Sequence, residues 1–113
     1  MYNLGVIKNK TKKTVVAKNF SQKNDLTKLI GLLGKKTPEA IVFNTRLGIH
    51  TFFLHFPIDI AVLDKEHKIV FMKRDVKPNG IVFWNIKFNQ VIELPAGSLE
   101  KSNTQQGDTL EFN

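Results

Sequence analysis

The run Ile58-Asp59-Ile60-Ala61-Val62-Leu63-Asp64 constrains the fold more than any other segment of the chain. In an extended backbone it puts Ile58, Ile60 and Val62 on one face and Asp59, Ala61 and Leu63 on the other. Asp59 therefore has apolar neighbours on both faces and leaves bulk water. A buried carboxylate needs hydrogen bonds or a cation, since otherwise its protonated form is favoured. Arg46, His50, Thr51 and free backbone N–H groups of the 44–51 loop are the partners within sequence reach. Asp59 then either pins that loop across the sheet or forms one wall of a small pocket, with His50 as a titrating neighbour.

The rest of the chain reads mainly as short strands between turn signals. Val6-Ile7 and Val15-Val16-Ala17 flank Asn9-Lys10-Thr11-Lys12, which predicts a hairpin of strands over 2–8 and 13–20. Leu26, Leu29, Ile30 and Leu33 follow at helical spacing, with Ser21 or Asn24 as N-cap, and predict one packed helix over about 23–33. Strands are expected at 40–43, 68–73, 81–84, 91–94 and 109–112, with a short helical or irregular stretch to about 103. Phe52, Phe53, Phe56, Phe71, Phe83, Trp84 and Phe88 are too many for one face of a small sheet. Most belong in the core, and one of the adjacent pair Phe52 and Phe53 must diverge toward a pocket or an exposed patch.

With 113 residues, 42% of them hydrophobic, the chain suits one domain over 1–113. It has no cysteine, which excludes disulfides, thiol nucleophiles and cysteine-held metals. No apolar run approaches the ~20 residues of a membrane span, and Met1 to Lys8 lacks the apolar stretch of a signal peptide. A cytoplasmic protein with no membrane contact is expected. The net charge of +7 is unevenly placed: residues 1–36 hold nine lysines against Asp25 alone. Such a stripe attracts phosphate backbones, with Lys8, Lys10, Lys12 and Lys13 as the candidate contacts. It contains no Arg, the residue whose fork most often reads bases and phosphates.

Catalytic and metal patterns are thin. Ser21, Ser98 and Ser102 lie in no nucleophile elbow, and no Gly-rich phosphate loop follows a strand. His50 and His55 are five apart and point to opposite faces of a regular strand, and His67 sits in a charged turn. No metal and no cofactor are expected. Paired-carboxylate chemistry would need Asp59 and Glu93 to approach each other across the sheet, and the plainer reading of Glu93 is an outward polar position.

The segment from His50 to Asp64 resembles the signature of the family designated domain of unknown function 192, roughly H-T-F-x-M-x-x-P-I/L-D-[V/I]-x-F/V-L-D. Gly31-Leu32-Leu33-Gly34-Lys35 is similar to that family's G-L-M-x-R segment, Val91-Ile92-Glu93-Leu94-Pro95-Ala96-Gly97 to its V-L-E-L-P-A-G run, and Gly107-Asp108-Thr109-Leu110 to its G-D-x-[V/L] end. The four matches span about residues 26–112 in order. The chain departs from the pattern at Leu54, Gly34 and Lys35. The resemblance implies a mainly β fold of jelly-roll or sandwich type and supplies no activity.

These readings converge on a small β-sandwich, or partly open barrel, with one packed helix. The expected function is a non-catalytic binding module. Its polar pocket would be formed by His50, Thr51, Asp59 and Glu93 and take a small polar ligand or a protein partner. Two alternatives remain: weak nucleic-acid association through the lysines of 8–36, and a hydrolase or isomerase using Asp59 with His50.

Overall fold

The computed structural model describes residues 2–3, 5–22, 39–46, 48–52 and 54–113. The helix expected over 23–33 lies outside the described residues. The main sheet is built from β1 (Tyr2–Asn3), β4 (Phe20–Gln22), β5 (Ile41–Asn44), β7 (Ile58–Leu63), β8 (Ile69–Val76) and β10 (Gln90–Pro95), in the order β1-β4-β5-β10-β7-β8. Its neighbours are antiparallel except for the parallel pair β4–β5. A second sheet joins β2 (Ile7–Asn9), β3 (Thr14–Ala17) and β11 (Leu110–Phe112) in the order β11-β2-β3. β6 (Ile49–His50) and β9 (Ile81–Val82) form a two-stranded ribbon, and α1 (Ser98–Lys101) is one short turn of helix. The result is the expected mainly β sandwich, and among the described residues none of the three sheets closes into a barrel.

β7 explains why the layers stack as they do. All six of its residues are buried, so both faces of the main sheet must be covered. On one face Ala61, Leu63, Ile92 and Leu94 pack with Ile7 and Leu110 of the second sheet and with Leu99 of α1. On the other, Ile58, Ile60, Val62 and Val91 pack with Val82 and Ile49 of the ribbon, Leu54, Phe56 and Trp84. Each fully buried Ile or Leu contributes about 1.5–3 kcal/mol, which is what holds three small sheets together.

Strand lengths differ from expectation where pairing, rather than propensity, sets them. The N-terminal hairpin is β2–β3, shorter than predicted, while Tyr2–Asn3 and Phe20–Gln22 pair with each other in the main sheet. Only Ile81 and Val82 of the 81–84 run are in a strand, because they pair with the two-residue β6.

Candidate functional site

Asp59 sits on the face shared with the second sheet, opposite Leu94, and is fully buried. Its carboxylate accepts three backbone N–H groups. Asp75 donates to Oδ1 at 2.9 Å, and Gly97 and Leu99 donate to Oδ2 at 3.1 and 3.0 Å. Each donor exists for a local reason. The register jumps from Ile58↔Val76 to Ile60↔Lys73, so Arg74 and Asp75 bulge opposite Asp59 and the Asp75 amide is free of the ladder. At the other end, Gly97 turns into α1 with φ 94, a left-handed geometry that favours glycine, and α1 has no side-chain cap of its own. Asp59 caps this helix from a distant strand.

The expected loop partners of Asp59 are therefore not its partners. Arg46 donates instead to the carbonyls of Ile86 and Lys87, at 3.1 and 3.2 Å. Thr51 is buried and closes the Pro78-Asn79-Gly80 turn: its hydroxyl donates to the Lys77 carbonyl and accepts the Gly80 N–H, both at 2.7 Å. Its own amide and carbonyl bond Gly80 and Asn79. His50 is exposed at the end of β6, with its ring stacked on Phe52 at 5.1 Å. β6 belongs to the ribbon that covers the opposite face, so the main sheet stands between His50 and Asp59. The structure does not bring those two together, because the strand period of two sends Asp59 to the other side.

Glu93 lies opposite Ile41 and Ile60, on the ribbon side of the sheet. It is neither the outward solvated residue nor the partner of Asp59, since the two carboxylates occupy opposite faces. Burial pushes its carboxyl from the usual 4.5 up to about 7.

Lys8, Lys10 and Lys13 are exposed around the β2–β3 turn. Lys12 is committed elsewhere: its Nζ donates to Asp108 Oδ2 at 2.8 Å and to Gln105 at 3.2 Å. Asn9, fully buried, donates to the same Asp108 oxygen at 2.9 Å and to Thr104 at 3.0 Å. Burial alone would raise the Asp108 carboxyl. The bonds from Asn9, Lys12 and the Gln105 amide, with the Lys12 charge, outweigh it and hold the group below the ordinary carboxylate range. Among the described residues no three His, Asp or Glu side chains gather as metal ligands.

The polar groups of the signature are thus largely spent inside the fold, and the ribbon beside His50 exposes apolar side chains. On the outer side of the ribbon His50 faces Ile81. Ile81 is 52% exposed and Phe83, two residues on, 69% exposed, and Phe52, stacked on His50, is 37% exposed. Gly48, at φ 92, lies against Phe83, where a Cβ would come 2.4 Å from the Val82 carbonyl oxygen. Sequence reasoning did not single out Ile81, because a β-rich run reads as core until its partner strand is known.

Among solved structures, the chain is similar in fold to a protein from Sinorhizobium meliloti 1021 provisionally described as a transcription regulator. The TM-score is 0.75 at 15% identity, over 96% of this chain and 91% of that one. It is similar also to a protein of unknown function from Novosphingobium aromaticivorans DSM 12444, with TM-score 0.74 at 12% identity, over 97% and 84% of the two chains. No curated protein matches the sequence. The model of the DUF192 family, described as Uncharacterized ACR, COG1430, matches residues 6–112. That match takes in the Asp59, Gly97 and Asp108 segments whose bonds hold the fold, and the chain belongs to this family.

Proposed function

We propose that this protein is a non-catalytic binding module that docks a protein segment on the outer face of the β6–β9 ribbon. The observation that carries the reading is the exposure of Ile81 and Phe83, with Ile81 paired across the ribbon to His50, which stacks on Phe52. Contiguous exposed apolar side chains of this kind mark interaction surfaces. Thr51 positions the ribbon, Asp59 holds the sheet behind it, and Glu93 lies on the sheet face beneath. The partner is a different protein that supplies an apolar segment carrying acidic residues, because two copies of a chain with net charge +7 repel each other.

Panning a random peptide library displayed on phage against the folded protein tests this. Enrichment of aromatic and acidic peptides is expected, with binding lost in the double variant Ile81→Lys, Phe83→Lys. Both positions are exposed, so the variant keeps the fold. No enrichment, or peptides that bind the variant equally well, would overturn the proposal.

A second reading, weak nucleic-acid association, is favoured by the exposure of Lys8, Lys10 and Lys13. It has three free contacts rather than four, since Lys12 is held by Asp108. It requires binding that falls steeply with salt and is lost on charge reversal at Lys10 and Lys13. Binding that is unchanged by salt would exclude it.

A further inference from the structure

Where β5 and β7 end and β10 begins, Asn44, Gln90 and Leu63 lie side by side in register. They open into a cleft of about 300 Å³ whose rim carries Arg46, Lys65 and Lys87 and whose wall includes Phe88. One acid, Asp64, lies among these cations, and its Oδ1 already accepts the N–H groups of Glu66 and Lys68, both at 2.9 Å. None of the three cations is ion-paired with a carboxylate among the described residues. Arg46 is also fixed: one guanidinium nitrogen donates to the carbonyls of both Ile86 and Lys87, which anchor the group without neutralising it. A guanidinium held in place with its charge uncompensated is preorganised for an oxyanion. Lys87 Nζ stands 5.8 Å from the centre of the Phe88 ring, so positive charge and an aromatic surface meet in the same cleft.

We infer that this cleft binds a small oxyanion, a phosphate or carboxylate, carried on a planar or apolar body that lies against Phe88. No residue of β6 or β9 lines the cleft, and the inference does not depend on the docking proposal.

Phenyl phosphate and inorganic phosphate are the probes, followed by amide NMR shifts of the full chain. Saturable shifts are expected at Lys65 and across 86–90, with phenyl phosphate binding more tightly than inorganic phosphate. Phe88→Leu removes that preference. Arg46→Gln and Lys65→Gln each weaken binding by about tenfold, and Lys10→Gln leaves it unchanged. Because Arg46 also fastens the 86–87 segment, Lys65→Gln is the deciding variant. The double variant Ile81→Lys, Phe83→Lys still binds phenyl phosphate, which separates this site from the docking surface. Shifts that do not saturate, shifts centred on residues 8–18, or unchanged affinity in Lys65→Gln would each overturn the inference.

Discussion

Asp59 Oδ2 accepts the amide N–H of Gly97 at 3.1 Å, joining the strand at the end of the His50–Asp64 segment to the turn that closes the Pro95-Ala96-Gly97 run. Two segments far apart in sequence thereby become one structural unit. The strand supplies the carboxylate, and the turn and α1 supply the amides that need it. Asp59→Asn replaces one acceptor oxygen with a donor that faces an N–H. With a buried unsatisfied amide costing about 1–3 kcal/mol, the variant is expected to lose about 2–5 kcal/mol in urea unfolding. The midpoint should fall with little change in slope.

The same logic applies to Thr51 on a smaller scale. Thr51→Val keeps the shape and deletes the hydroxyl, leaving the Gly80 amide and the Lys77 carbonyl without it. A loss of about 1–3 kcal/mol is expected, measurable as a lower thermal midpoint. A stability equal to that of the parent would show that water satisfies this turn.

Glu93 sets a pH dependence with a definite sign. Its carboxyl is raised to about 7 in the folded chain against 4.5 when free, so between those values the folded state holds a proton the unfolded state has released. Stability from this group therefore falls as pH rises from about 4.5 to 7 and is flat above. Glu93→Gln is expected to flatten that slope and to stabilise the protein by about 1–3 kcal/mol above pH 7, as read from urea midpoints across the range.

How far these features were legible in the sequence depends on whether the partner was a side chain or a backbone group. The two faces of 58–63 followed from the period of two, and the need of Asp59 for partners followed from its apolar neighbours. Its actual partners are the amides of residues 75, 97 and 99, which leave no mark on residue type, so Arg46 and His50 were the visible choices. Glu93 escaped because Val91 and Ile92 are both buried. A strand covered on both faces has no outward side on which to place an acid.

Asp108 titrates in the opposite sense. Held below 3.8 by Asn9, Lys12 and the Gln105 amide, it contributes stability that is present above that value and lost as pH falls through its lower folded-state value. Lys12→Met removes one of those bonds and the charge. It is expected to destabilise by about 1–2 kcal/mol at neutral pH, and in a double-mutant cycle its effect should shrink when Asp108→Asn is already present.

Amide hydrogen exchange at Asp75, Gly97 and Leu99, in the parent and in Asp59→Asn, reads the pinning role of Asp59 without an intermediary. Strong protection of all three is expected in the parent, with selective loss in the variant while the amides of β5 and β10 stay protected. Rapid exchange at these amides in the parent, or protection unchanged by the substitution, would contradict a role for Asp59 as the pin between strand, bulge and helix.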